Sequence, residues 1–254
     1  MKKIIASLLA SGLLLSVPPS ALADTLNAAV AANFTKTIEE IGQAFKARTG
    51  HDVKFSFGPT GKLYAQIKNG APFDLFFAAD TEKPEALVKE DLVKPDSYFV
   101  YARGVLALWS PTLPVRDGYK AVLEKAEFNH LSIANPKTAP YGQAAEEVLS
   151  QLGVYDSVKP KIVNGESIAH AFQYVHTENA QLGFVALSQL VDRQSPAHGK
   201  GQYWLPPQDM YEPIDQAAVI LKKAANNPVA QQFVDYLRSD EGRKVIEKYG
   251  YSIP

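Results

Sequence analysis

The sequence predicts an α/β fold built as two lobes, and three observations predict it. Short β-rich apolar runs alternate with stretches whose apolar residues recur at helical spacing. One apolar run, 98–109, is too long for a typical strand and is interrupted by Arg103-Gly104, as expected of a segment that leaves one lobe and enters another. Beyond it the alternation of strands and helices starts again.

Taken in order, the first segment reads as an export signal. Lys2 and Lys3 precede an apolar stretch over 4–15, and Ala21-Leu22-Ala23 forms a small-residue exit before Asp24, so the mature chain is expected to begin at Asp24 in the periplasm. That apolar run is too short to cross a bilayer. The runs 25–31, 52–57 and 74–78 then read as strands, with helices over 35–48 and 62–68. The first helix carries Ile38, Ile41, Ala44 and Phe45 on one face. This βαβαβ pattern implies a mostly parallel sheet. After the crossover, strands are expected at 131–134, 161–163 and 182–185, with helices at 143–152 and 167–176. Pro206-Pro207 and Pro213 punctuate the return, and 215–221 reads as another buried strand. Closing helices over 228–238 and 240–248 are expected to pack back on the first lobe. The domains read as 1–23 signal, 24–102 plus 213–254 first lobe, and 103–212 second lobe.

Composition narrows the function. The chain has 26 Lys and Arg against 27 Asp and Glu, and loss of Lys2 and Lys3 takes the formal charge from −1 to −3. No basic excess or block exists to neutralise phosphates, so nucleic acid is not an expected partner. There is no Cys, hence no disulfide frame, thiol chemistry or lipid-anchor cysteine. The five histidines, His51, His130, His170, His176 and His198, show no paired spacing, so a bare metal cation is not expected. Aromatic residues of the long run, Tyr98, Phe99, Tyr101 and Trp109, read as core.

Four strand exits carry distinctive chemistry. They are Ala31-Ala32-Asn33-Phe34-Thr35, with Asn33 at a natural N-cap; Gly58-Pro59-Thr60-Gly61-Lys62; the loop 135–142 with Pro140-Tyr141-Gly142; and Asn164-Gly165-Glu166-Ser167-Ile168. In open α/β sheets ligands sit beyond the carboxyl ends of strands, and helix N-termini offer unpaired N–H groups and partial positive charge. Each loop alone reads as an ordinary cap; two per lobe imply a small, enclosed anion. Three of the four loops lack a carboxylate, which suits an oxyanion without a proton. The fourth has Glu166, read as a first-turn residue that complements the helix dipole.

These residues resemble those of the molybdate-binding periplasmic components of ATP-binding-cassette importers. The resemblance covers essentially the whole mature chain, through Ala28-Ala29-Val30-Ala31-Ala32-Asn33-Phe34, 56–67, 70–80, and the C-terminal Phe233-Val234-Asp235-Tyr236-Leu237 to Tyr249-Gly250-Tyr251. It implies two Rossmann-like lobes of the type II periplasmic-binding fold on a two-segment hinge. It also implies a monomer that holds molybdate or tungstate by hydrogen bonds alone, without a cofactor, and passes it to a membrane permease. Carried over residue by residue, the oxyanion ligands are Ala32 through its N–H, Asn33 through amide and N–H, Thr60 through hydroxyl and N–H, and Tyr141 and Ile168 through main-chain N–H. Where some members have a tyrosine after the strand Gly183-Phe184-Val185, this chain has Ala186, so five-point capture is not assured.

The alternatives are another tetrahedral oxyanion such as sulfate, or a serine hydrolase. The latter rests on Gly165-Glu166-Ser167-Ile168-Ala169, near the nucleophile-elbow pattern with Ser167 as nucleophile. Its last glycine is replaced by Ala169, and the candidate partners Asp192 and His198 lie in a polar stretch. Gly58 to Lys62 faintly resembles a phosphate loop but lacks its glycine spacing and the Ser/Thr after the lysine.

Overall fold

The computed structural model describes residues 24–254; the signal segment expected at 1–23 lies outside them. The chain forms two five-stranded sheets with helices on their faces. The first contains β1 (Thr25–Ala31), β2 (Asp52–Gly58), β3 (Leu75–Phe77), β4 (Phe99–Gly104) and β10 (Ile214–Ile220), in the order β2-β1-β3-β10-β4. The second contains β5 (Leu106–Ser110), β6 (Leu131–Ala134), β7 (Ile162–Gly165), β8 (Leu182–Ala186) and β9 (Gln202–Trp204), in the order β7-β6-β8-β5-β9. The two orders are the same pattern used twice.

Both sheets are mostly parallel, as expected, with one reversed strand in each. β1 runs parallel to β2 and β3, while β10 is antiparallel to both β3 and β4. Likewise β6 is parallel to β7 and β8, and β5 is antiparallel to β8 and β9. The reversed strands are β5 and β10, the first to follow each crossover between the sheets. The long run at 98–109 accordingly breaks at Val105 into β4 and β5, one in each sheet.

Burial on both faces explains the near-continuous apolar strands. In β1, Leu26, Ala28 and Val30 point to a core with α1 (Thr35–Thr49), and Ala29 points to the opposite face, with Leu63 and Leu87 of α2 (Thr60–Lys68) and α3 (Glu82–Lys89). In the second sheet Leu131, Ile133, Leu182 and Phe184 pack on α4 (Val115–Lys125) and α5 (Pro140–Gln151). A short α6 (Tyr155–Val158) precedes β7. Trp109 and Val185 pack on the other face, against α7 (Ile168–His176) and α8 (Leu187–Val191). Tyr101 and Trp109 are core residues. The closing helices α9 (Pro228–Arg238) and α10 (Asp240–Lys248) place Phe233, Leu237 and Ile246 in the core of the first sheet. The tail then bridges back to β4 through Arg103 and Ser252.

Helices α3 and α4 and strand β9 are additions to the sequence reading. α3 buries only Pro84 and Leu87, and α4 only Val115 and Leu123, too few apolar positions to stand out as a periodic stripe.

Candidate functional site

The four expected loops meet where the two sheets face each other. Ala32, Asn33, Thr60, Tyr141 and Ile168 all line one cavity of about 10 Å³, together with Ala79 and Ser167. No charged side chain lines it.

Three helices begin at this cavity. Thr60 is the first residue of α2 after the extended Pro59, Tyr141 follows Pro140 at the start of α5, and Ile168 opens α7 after Ser167. Amides in a helix's first turn have no carbonyl four residues back to receive them. Among the described residues, those of Thr60, Tyr141 and Ile168 have no partner in loops or turns, while the next amide in α2, that of Gly61, donates to Thr138 O at 3.0 Å. One helix comes from the first sheet and two from the second. The site therefore has partial positive charge from opposite sides without a cationic side chain.

The side chains divide into two groups. Thr60 is 1% exposed, and its Oγ1 accepts the N–H of Ala79 at 3.0 Å. A hydroxyl that accepts one bond still has a proton to donate, so Thr60 suits an anion. Asn33 departs from the expectation twice. It lies within a single 3-10 turn, Ala32–Phe34, and makes no cap to α1, which begins after Phe34. Its Nδ2 donates to Gln216 Oε1 at 2.9 Å and Tyr251 Oη at 3.1 Å. Both amide protons are thus committed to the protein, because two buried acceptors there need a donor. What Asn33 offers a guest is its main-chain N–H.

Gln216 and Tyr251 belong to a buried network beneath the cavity that sequence reading missed. Tyr101 Oη lies 3.0 Å from Gln216 Oε1 and 2.9 Å from Ala78 O, and Gln216 Nε2 donates to Tyr141 Oη at 3.4 Å. Tyr251 Oη donates to Asn33 O at 2.7 Å, and Ser188 Oγ donates to the same carbonyl at 3.1 Å. Burial raises the Tyr251 hydroxyl to about 12 and pushes Tyr101 and Tyr141 well above the ordinary tyrosine value. A lone Gln inside the apolar strand Ile214–Ile220 was the one available signal. Gly104 makes the network possible: a Cβ there would lie 2.1 Å from Tyr141 Oη.

Of the remaining candidates, Glu166 and Ala186 fall outside the cavity, and Ser167 lines it. Glu166 forms an exposed ion pair with Lys62 across the gap between the two sheets, and the lysine lowers its carboxyl below the usual range. Ala186, at the position of the absent tyrosine, is fully buried and gives its N–H to Gln189 Oε1 at 2.9 Å. Ser167 does follow a strand and open a helix, but its Oγ accepts only the His170 N–H at 3.4 Å; Asp192 Oδ1 accepts from Gln194 N. Among the described residues no imidazole or carboxylate bonds to Ser167 Oγ.

The family described as bacterial extracellular solute-binding protein matches residues 26–252. The chain is 52% identical over 234 residues to the molybdate-binding protein ModA of Azotobacter vinelandii, covering 92% of each. It is 44% identical over 242 residues to the ModA of Rhodobacter capsulatus, covering 95% of this chain and 94% of that one. A solved Azotobacter vinelandii periplasmic molybdate-binding protein superimposes with a TM-score of 0.85 at 39% identity, covering 90% of this chain and 99% of that one.

Proposed function

The chain belongs to the bacterial extracellular solute-binding proteins, and we propose that within this family it captures molybdate, and also tungstate, for delivery to the permease of an ATP-binding-cassette importer. The observation that carries this reading is the convergence of first-turn amides from three helices on a cavity without a charged side chain. The likeness to two molybdate-binding proteins at 52% and 44% identity supports it.

The donors select among anions. Every group that faces the guest donates, and with Glu166 drawn to Lys62 no carboxylate remains to accept a proton. An oxyanion that keeps a proton near neutral pH, such as phosphate, would leave that proton without a partner, whereas molybdate, tungstate and sulfate present only acceptors. Each charge-assisted hydrogen bond contributes on the order of 1.5 to 3 kcal/mol. About six of them offset desolvation and leave micromolar to nanomolar affinity.

The ligand set is Ala32 and Asn33 by main-chain N–H, Thr60 by hydroxyl and N–H, and Tyr141 and Ile168 by main-chain N–H. The lobes are 24–104 with 213–254, and 105–212, the first crossover falling at Val105, two residues beyond the expected boundary. They turn about the two crossovers, where Arg103 of β4 grips Asp215 of β10 through bonds of 2.6 and 3.0 Å. We place the protein in the periplasm, the compartment of the solved Azotobacter vinelandii periplasmic molybdate-binding protein.

A thermal-shift panel with molybdate, tungstate, sulfate and phosphate tests the reading. Molybdate and tungstate are expected to raise the midpoint strongly through mass action, sulfate less, and phosphate not at all. A response to phosphate equal to that to molybdate would overturn it.

A further inference from the structure

Thr60 and Ser167 occupy equivalent places in the two sheets. Each lies two residues past the end of the outer strand of the repeated order, Gly58 of β2 in the first sheet and Gly165 of β7 in the second, with Thr60 the first residue of α2 and Ser167 the N-cap of α7. Both line the same cavity, and both are buried, at 1% and 5% exposure.

The chemistry of the two hydroxyls is also alike. Thr60 Oγ1 accepts one backbone N–H, that of Ala79, and Ser167 Oγ accepts one, that of His170. Neither hydroxyl proton has an acceptor among the described residues. The cap bond of Ser167 is long, at 3.4 Å, so capping the helix leaves its hydroxyl only loosely held. The other polar side chains at the cavity are engaged elsewhere, Asn33 with Gln216 and Tyr251 and Tyr141 with Gln216.

Resting on the oxyanion reading above, we propose that Ser167 is itself a ligand of the anion, donating its Oγ–H from the second lobe as Thr60 does from the first. It supplies the side-chain donor that Ala186, turned toward Gln189, does not. A buried hydroxyl proton beside an anion gains a charge-assisted bond, stronger than one to a neutral acceptor.

Calorimetric titration of the full chain with sodium molybdate tests this, using wild type, Ser167→Ala and Ser167→Gly, with thermal midpoints of the ligand-free proteins alongside. Glycine caps a helix nearly as well as serine, whereas alanine does not, so the two variants separate capping from donation. Both are expected to bind molybdate about tenfold or more weaker than wild type, to a similar degree, although their ligand-free midpoints differ. Variants within twofold of wild type would overturn the proposal while leaving the oxyanion reading intact, as would affinities that follow the midpoints, with Gly near wild type and Ala weak. A wild-type chain that fails to bind molybdate would remove both.

Discussion

The side-chain Nδ2 of Asn33 lies 2.9 Å from Gln216 Oε1, a contact that commits the amide to the protein. Asn33→Ala therefore acts mainly on the fold. It leaves buried acceptors on Gln216 and Tyr251 short of a donor, and a loss of about 1 to 3 kcal/mol in ligand-free stability is expected. Thr60→Ala is the contrasting case, removing the hydroxyl proposed to donate to the anion, and is expected to weaken molybdate binding about ten- to a hundredfold. Urea unfolding and calorimetry on both variants check this; a greater affinity loss in Asn33→Ala than in Thr60→Ala would reverse the assignment.

Gly61 touches the opposite lobe, where its N–H donates to Thr138 O at 3.0 Å. A Cβ there would lie 3.2 Å from Thr138 Cα and 3.3 Å from Thr138 O, closer than those atoms comfortably allow. Gly61→Ala is expected to weaken molybdate binding several-fold while leaving ligand-free stability unchanged or raising it by up to about 1 kcal/mol, because alanine favours the helix. Equal affinity in the two proteins would show that the contact at Thr138 yields freely.

The Lys62–Glu166 pair spans the same gap but is exposed. Exposed pairs contribute little and are screened by salt, so Glu166→Gln is expected to change molybdate affinity by no more than a few-fold at physiological salt, and less at high salt. Because Lys62 lowers the Glu166 carboxyl, the pair is intact at neutral pH and is lost only as pH falls through that lowered value. A large gain in affinity on removing the charge would instead place the carboxylate against the anion.

The buried hydroxyls of Tyr101, Tyr141 and Tyr251 give the protein an alkaline limit. Their folded values lie above the unfolded value near 10, with Tyr251 at about 12. Their contribution is thus fully present below pH ~10 and is lost as pH rises toward the folded values. Each is expected to lower stability by about 1.4 kcal/mol per pH unit in that window. Guanidinium midpoints measured from pH 8 to 11 should fall steeply past 10, and more gently in Tyr251→Phe; a flat profile would contradict burial of these groups.

What the sequence determined by itself was the alternation of most strands and helices, though not α3, α4 or β9, and the identity of the loops at the site. Those follow from local causes: apolar periodicity sets the elements, and a helix's first amides lack partners wherever the helix begins. The four loops were legible for that reason, while Thr60, Tyr141 and Ile168 were singled out within them by the family resemblance. Only the tertiary structure decided which side chains face the cavity. Asn33 is held by Gln216, 183 positions away, and Glu166 by Lys62, 104 positions away. Ser167, which resembled a nucleophile in sequence, lines the cavity beside Ile168 with no imidazole bonded to it. A backbone donor is fixed by its neighbours along the chain, whereas a polar side chain pairs with whatever folding brings beside it, and that partner is invisible until the lobes meet.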